Sequence, residues 1–462
     1  MKGYYIENFG CRAAQADGSA IERQLVERGM HRVAAVEDAE LAVLNTCTVT
    51  SAADQDARAA VRRVHRARPE AKILVTGCYA QRVPEEISAL KGVTWVVGNS
   101  HKHQIGDIVG ASSAPANTDF VPLAALQHDA NATYVAGKIH SSDIFAHTEL
   151  LSAPVFDAIE RTRPNLKVQD GCNNRCSFCV IPYVRGHSRS LAMDKILREM
   201  HALERAGYRE IVISGINLGR WGRDFAPQNH FVEMLREVLE HSSIEKLRLS
   251  SVEPMDWTDD LIGLMASSPR IAKHAHMPLQ SGSDRILRQM HRKYRPWHYA
   301  EKVEKIRKLL PDAAIGADVM VGFPGENDEL FEESRRFIAE LPFTYLHVFT
   351  YSPRPGTPAA QMTDQIPLEV ARERNRNLRE LAAEKNSAFR RTFLERQLHV
   401  ITLKPTQTQS TEALSDNFLK VKIDGVHAAN QWREVRIHSL SDSGLNGTVS
   451  DSRGAVSETA VQ

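Results

Sequence analysis

Three cysteines fall within eight residues, in Asp170-Gly171-Cys172-Asn173-Asn174-Arg175-Cys176-Ser177-Phe178-Cys179, with Cys-x3-Cys-x2-Cys spacing. Three thiolates on one tight loop can hold three irons of a [4Fe–4S] cube and leave the fourth without a protein ligand. Chemistry would then occur at that open iron. A structural zinc ion is the alternative, but it wants a fourth Cys or His at a usual spacing. Only His187, some distance on, is available for that.

The other three of the chain's six cysteines are Cys11, Cys47 and Cys78, and none follows Cys179. Each comes just after a short apolar run, at 4–6, 41–44 and 73–75. Parallel strands deliver their C-terminal loops to one edge of a sheet, so the three can converge there. Three inert buried thiols are the alternative, because free cysteine packs as a small apolar residue. The N-terminus carries no series of basic, apolar and cleavage segments, and the chain reads as cytoplasmic. Structural disulfides are not expected in that compartment, where grouped cysteines more often mark metal or redox chemistry.

The elements that must position these residues follow from periodicity. Helical spacing at 19–28 and 52–66 alternates with the three N-terminal runs, so 1–110 reads as a Rossmann-like α/β domain. Residues 111–160 are weakly patterned and read as a linker with a strand or two. From 161 to 396 the alternation returns, with strands expected at 166–169, 210–214, 246–249, 275–278, 315–321 and 345–350. Helices are expected at 192–206, 231–239, 258–265, 283–290, 298–310 and 328–341. Six βα units of this length predict a partial or complete (β/α)6 barrel, trailed by a charged helix over 366–396. Short runs at 399–403, 418–423, 435–438 and 447–449 predict a small C-terminal β-barrel over 397–450, and 451–462 reads as a frayed tail.

Residues of unusual type collect at the expected strand ends. Ser214-Gly215-Ile216-Asn217-Leu218-Gly219 allows close backbone approach. Ser250-Ser251-Val252-Glu253-Pro254 offers a hydroxyl and a carboxylate to a ribose or an amine, or simply caps a helix. Pro278-Leu279-Gln280-Ser281-Gly282-Ser283 and Val321-Gly322-Phe323-Pro324-Gly325-Glu326 end two further strands. Asp318 lies inside an apolar strand and needs a partner if buried. The 462 residues are 42% hydrophobic and 25% charged, which rules out a wholly disordered chain, a disulfide-stapled miniprotein and a collagen-like fibre. No run of about 18 apolar residues suggests a membrane span. The net charge of +1 leaves any polyanion to be held by local patches.

Taken together, these segments resemble the radical S-adenosylmethionine methylthiotransferases over essentially the whole length. The markers are Gly10-Cys11, Asn45-Thr46-Cys47, Gly77-Cys78, the 171–179 run, Ile181-Pro182-Tyr183 with Arg185-Gly186, and the two segments after residues 277 and 321. The resemblance implies two [4Fe–4S] clusters, one on Cys172, Cys176 and Cys179 and an auxiliary one on Cys11, Cys47 and Cys78. It implies S-adenosylmethionine as methyl donor and radical source, with Phe178, Gly215, Asn217, Ser251, Glu253, Gln280 and Asp318 as candidate contacts. One molecule would methylate sulfur on the auxiliary cluster, and a second would yield the radical that abstracts hydrogen from the substrate carbon. The C-terminal barrel would be an RNA-binding TRAM domain.

The family modifies tRNA bearing isopentenyladenosine-37, tRNA bearing threonylcarbamoyladenosine-37, or an aspartate of ribosomal protein S12. Asn45-Thr46-Cys47-Thr48-Val49-Thr50 with Ala53-Asp54, the 76–81 run, the 169–174 run and the 249–254 run resemble the threonylcarbamoyladenosine branch. The implied partners are a tRNA anticodon stem-loop, a reduced flavodoxin- or ferredoxin-like electron donor and a sulfur source. A monomer is expected, with no membrane partner. Arg185 and Arg189 are candidate substrate contacts, Tyr183 or Trp221 could stack on a base, and Arg58, Arg62, Arg63, Arg66 and Arg68 could assist RNA binding or form a solvated face. Arg12-Ala13-Ala14 departs from the Lys-Val-Asn common after the first cysteine, and residues 400–450 balance five basic against five acidic side chains. The rival readings are the other two branches and a zinc-stabilised, non-enzymatic RNA-binding protein.

Overall fold

The computed structural model describes residues 2–111, 137–147, 150–151, 162–404, 409–442 and 444–450. The expected tail at 451–462 and most of the expected linker lie outside them.

The N-terminal sheet is parallel throughout. Its strands are β1 (Gly3–Asn8), β2 (His31–Arg32), β3 (Leu41–Thr46), β4 (Lys72–Gly77), β5 (Val93–Val97) and β6 (Lys138–His140), in the order β2-β1-β3-β4-β5-β6. Leu41 to Leu44 are all fully buried because helices cover both faces, as an uninterrupted apolar run requires. Ala42, Leu44, Ile73 and Val75 pack on the Ser51–Ala67 helix through Ala57, Val61 and Val64. On the other face Val43, Leu74 and Trp95 meet Ile21 and Leu25 of the Arg12–Val26 helix.

That second helix begins seven residues before the expected 19–28. Gly18 immediately precedes the expected span, yet it sits inside the helix. A Cβ there would lie 1.8 Å from the Asn8 side chain, so glycine serves close packing rather than a break. Within the expected linker, β6 adds an edge strand to the sheet.

The central sheet is an open six-stranded parallel barrel. Its strands are β7 (Asn165–Lys167), β10 (Glu210–Ser214), β11 (Lys246–Leu249), β12 (His274–His276), β13 (Ala314–Val321) and β14 (Tyr345–Thr350). They run in that order, with an isolated parallel bridge between Leu247 and Ile271 joining the two halves. The first expected strand breaks at Val168. Beyond it β8 (Gln169–Asp170) pairs antiparallel with β9 (Arg189–Ser190), closing the base of the cysteine loop. The Arg12–Val26 helix packs on β7 at the open side, and the long Leu368–Arg391 helix packs on β14.

The C-terminal strands β15 (Gln397–Thr402), β16 (Ser410–Ser415), β17 (Lys420–Asp424), β18 (Trp432–Leu440) and β19 (Leu445–Val449) form a closed barrel in the order β15-β16-β17-β19-β18. It seats on the N-terminal ends of the central strands. Phe418 stacks on His274 at 4.4 Å, and the Arg248 guanidinium donates to the Ser415 and Asp416 carbonyls at 3.1 and 3.0 Å. The opposite end of the central barrel therefore holds the cysteine loop, as a βα fold dictates.

Candidate active site

The 172–179 loop leaves β8 through Gly171, whose φ of +71° brings its Cα side against the His187 carbonyl; a Cβ would lie 1.9 Å from that oxygen. Cys172 N–H donates to Gly186 O at 3.1 Å and Ser177 Oγ to Gln289 O at 2.7 Å, so both ends of the loop are tied to the scaffold. All six cysteines are free thiols. Donors aim at the loop sulfurs: Asn217 Nδ2 lies 3.6 Å and Asn174 N 3.4 Å from Cys172 Sγ, and an Arg292 nitrogen lies 3.2 Å from Cys176 Sγ. Burial, reinforced by Cys176, pushes the Cys179 thiol up to about 12. Such a thiol becomes a thiolate only when a metal displaces its proton.

The N-terminal trio forms where the strand-end argument places it. Cys11 caps the Arg12–Val26 helix, Cys47 follows β3, and Cys78 opens the Cys78–Arg82 helix directly after β4. Gly10, at φ +93°, lies against Cys47; a Cβ there would come within 2.8 Å of its sulfur. Burial and then the neighbouring Cys78 push the Cys47 thiol up to about 12.

The N-terminal trio lies against the segment that follows the 172–179 loop: Cys78 packs on Val180 and Val184, and Asn99 Nδ2 bridges Cys78 Sγ at 3.6 Å and the Val184 carbonyl at 2.6 Å. Among the described residues, only His276, Asp318 and His347 gather three potential ligand atoms within 4.8 Å. Neither cysteine trio is that compact, which suits a cluster of irons better than a single zinc. His187 hydrogen-bonds Asn173 at 3.2 Å and packs on Phe145, away from a fourth-ligand role.

The candidate cofactor contacts fall into three groups. Asn217 donates its backbone N–H to Gln169 Oε1 at 2.7 Å and leaves its buried Oδ1 without a hydrogen bond. Gly215 packs on Gln169, where a Cβ would lie at 3.0 Å. Glu253 pairs with Arg292, the residue that also reaches Cys176. Phe178 and Gln280 line a cavity of about 190 Å³ with Cys179, Met320, Phe349 and Tyr351. Gln280 holds φ +65°, clamped by backbone bonds from its own N–H to Asp318 O and from Met320 N–H to its carbonyl, both 2.8 Å. Its buried Oε1 also lacks a partner. Such a held outlier at a cavity wall marks a functional position.

Deeper in the barrel, Ser251 Oγ meets His276 Nδ1 at 2.7 Å, and Asp318 takes His276 and His347 at 3.5 and 3.3 Å. Burial would raise the Asp318 carboxyl, but these two imidazoles outweigh it and hold it well below the usual range. This supplies the partner that a buried aspartate demands.

Arg185 does not face solvent. It is 2% exposed, with its guanidinium on Asp170 at 2.9 Å and Asp17 at 3.0 Å. Asp17 also takes Lys102 at 2.7 Å and Lys167, and Lys167 reaches Asp170 at 2.9 Å. Burial opposes the Arg185 charge, yet Asp170, Cys78 and Asp17 raise its pKa well above the ordinary value. Arg185 is thus a structural cation beside the cysteines rather than a surface contact. Arg189 is half-buried and donates to the Arg185 carbonyl at 2.9 Å. Trp221 is fully buried and bonds Leu191 O, whereas Tyr183 is exposed. Of the arginines along the Ser51–Ala67 helix and its end, Arg58 pairs with Glu86, Arg63 with Glu7 and Arg68 with Glu70; only Arg62 and Arg66 remain as plain exposed charges.

Sequence reasoning missed Arg292, the His276–His347 pair and the Asp17 network. It also missed Arg354, which docks the loop after β14 onto Thr48 at 3.1 Å and onto Asp54. The paired histidines of His274-Ala275-His276 were a signal; the partners of Asp17, up to 168 residues distant, carried none.

A family model for the radical SAM superfamily matches residues 166–338, and one described as uncharacterized protein family UPF0004 matches residues 3–98. Threonylcarbamoyladenosine tRNA methylthiotransferase MtaB of Bacillus subtilis (strain 168) is 35% identical over 425 residues, covering 91% of this chain and 90% of its own. The chain belongs to the radical SAM methylthiotransferase family.

A second relative, tRNA-2-methylthio-N(6)-dimethylallyladenosine synthase of Thermobifida fusca (strain YX), is 36% identical over 402 residues, 86% of this chain and 77% of its own. Among solved structures, the radical S-adenosylmethionine methyltransferase TsrM from Kitasatospora setae shares the fold, with a TM-score of 0.54 at 14% identity over 78% of this chain and 75% of that one. Membership in this methylthiotransferase family implies S-adenosylmethionine and a [4Fe–4S] cluster, and the free, widely set 172–179 thiols with donors on two sulfurs fit that cluster. Among the described residues, no helix is long and apolar enough to cross a membrane.

Proposed function

We propose that the chain methylthiolates C2 of N6-threonylcarbamoyladenosine-37 in tRNA, giving 2-methylthio-N6-threonylcarbamoyladenosine. The observation that carries this reading is the packing of Cys78, one of the N-terminal trio, on Val180 and Val184 immediately after the 172–179 loop. Sulfur insertion needs a sulfur donor and a radical source side by side, and a second [4Fe–4S] cluster on Cys11, Cys47 and Cys78 answers the first need. When bound, the clusters and S-adenosylmethionine supply the sulfur, the methyl group and the radical.

The protein's own residues orient and shield. Asn217 and Arg292 direct hydrogen bonds at Cys172 and Cys176, which fixes the loop and tunes its electronics as outer partners of metal ligands do. Glu253 holds the Arg292 guanidinium in place and, with Ser251, presents oxygen acceptors for a ribose or an amine. Phe178, Met320 and Phe349 make the nearby cavity apolar enough to exclude water from a reactive radical, while the open amide oxygens of Gln280 and Asn217 accept from a nucleoside. Tyr183, exposed on the short Ile181–Arg185 helix that follows the loop, offers an aromatic platform for an anticodon-loop base. Electrons would come from a reduced flavodoxin- or ferredoxin-like protein, and a sulfur source would rebuild the auxiliary cluster.

The name of the Bacillus relative supports the threonylcarbamoyl substrate; that of the Thermobifida relative supports N6-isopentenyladenosine-37 as a second reading. Reconstituted enzyme offered anticodon stem-loops carrying either nucleoside separates them. Methylthiolation of the threonylcarbamoyl stem-loop is the expected result; turnover of the isopentenyl one alone would replace it with the second reading.

A further inference from the structure

The lumen of the central barrel is more cationic than an adenine base requires. At its base, Arg248 and Arg163 share one carboxylate, Glu210, at 2.6 and 3.6 Å. A third guanidinium, Arg12, belongs to the helix that covers the barrel's open side. It is half-buried and makes no hydrogen bond or ion pair among the described residues. The Arg12–Val26 helix packs on β7 at that open side with Cys11 at its cap, and the Arg12 charge bears on His274, Tyr345 and Arg163 at the barrel's base.

Further up the lumen, Tyr345 lies beside His347, the two rings tilted with centroids 5.3 Å apart. His347 gives its Nδ1 side to Asp318, so its Nε2 side stays open on an exposed ring. His276, Asp318 and His347 could by donor type hold a divalent cation. Three guanidinia face two carboxylates in this lumen, Glu210 and Asp318, and Asp318 is already held by two imidazoles, so the balance favours an anion instead. A partly buried, unpaired guanidinium wants a carboxylate or phosphate.

We propose that Arg12 receives the carboxylate of the threonylcarbamoyl substituent, with His347 lining the same pocket. The proposal rests on the substrate reading above and deepens it. Arg12 directly follows Cys11, so an anchor on the substituent's far end would also set the adenine ring against the auxiliary cysteines. An uncharged isopentenyl group leaves this guanidinium unpaired, which makes Arg12 a discriminator as well as an anchor.

The test is equilibrium binding of cluster-reconstituted enzyme to otherwise identical anticodon stem-loops bearing adenosine, threonylcarbamoyladenosine or isopentenyladenosine at position 37. Wild type should prefer the threonylcarbamoyl stem-loop. Arg12→Gln should weaken that complex about 10- to 100-fold, leave the adenosine stem-loop unchanged and so erase the preference. Arg12→Lys should restore most of it. His347→Gln, remote in sequence from every cysteine, should move the preference in the same direction if the Arg12 variants lose iron.

Retention of the preference in Arg12→Gln with full iron content would overturn the proposal. Equal weakening of all three stem-loops would assign Arg12 to backbone phosphate, and a matching loss of S-adenosylmethionine affinity would assign it to the methionyl carboxylate; either result overturns it too. Absence of the preference in wild type would instead sink the substrate reading beneath it.

Discussion

Cys78 touches both halves of the chemistry: it belongs to one cysteine trio and packs on residues beside the other. Changing Cys11, Cys47 and Cys78 together to alanine should halve the iron and acid-labile sulfide per chain. The variant should still cleave S-adenosylmethionine but make no methylthio product, a split that iron analysis and product chromatography read separately. Arg292→Met removes a donor from Cys176 and strips Glu253 of its cation. Loss of such an outer partner typically costs 10- to 100-fold in metal affinity or activity, so cleavage should fall by about that factor. At this scale the sequence was informative about the ligands, because their spacing is local. It was silent about Arg292, which reaches back 116 residues to its sulfur.

At the scale of elements, the network around Asp17 clips the Arg12–Val26 helix to β7 and the cysteine loop. Asp17→Asn would leave Lys102 buried without its carboxylate, and Lys167 and Arg185 with Asp170 as theirs. Breaking a buried pair of this kind costs about 3–5 kcal/mol, readable as a lowered denaturation midpoint. Burial favours protonation of Asp17, but Lys102 and Lys167 prevail and hold it at about 2. A depressed carboxylate stabilises fully above its unfolded value near ~3.9 and is lost only as pH falls towards 2. Mild acid should therefore leave this joint intact.

The joint at Phe418 behaves in the opposite way. Burial, then Arg248, holds the His274 imidazole well below its ordinary range, so it stays neutral when folded. The unfolded chain takes up that proton below pH ~6.5, and stability then falls by at most about 1.4 kcal/mol per pH unit. Thermal melts between pH 7.5 and 5.5 should show that slope in wild type and a shallower one in His274→Phe. The elements themselves were largely legible: the fully buried 41–44 run and the six βα units stand close to where periodicity puts them. The Arg12–Val26 helix and β16 were not. Gly18 mimics a helix break, and Ser410-Thr411-Glu412 lacks an apolar alternation.

Across the whole molecule, three folded parts are joined by pairs remote in sequence, such as Arg354 with Asp54, 300 residues apart, and Arg248 with Ser415. These joints could not be read from composition or periodicity, which report only local order. The C-terminal barrel spends its Phe418 and Asp416 on the central barrel, and its remaining surface is near neutral. Any RNA binding by this barrel should therefore show a weak dependence on salt compared with a basic RNA-binding domain, measurable as the slope of log affinity against log salt. The account stands or falls on the nucleoside this assembly modifies. Mass spectrometry of tRNA nucleosides from cells with and without the gene tests it most directly. Loss of 2-methylthio-N6-threonylcarbamoyladenosine, with its unmethylthiolated precursor accumulating, is the predicted result. Persistence of that nucleoside while 2-methylthio-N6-isopentenyladenosine disappears would contradict it.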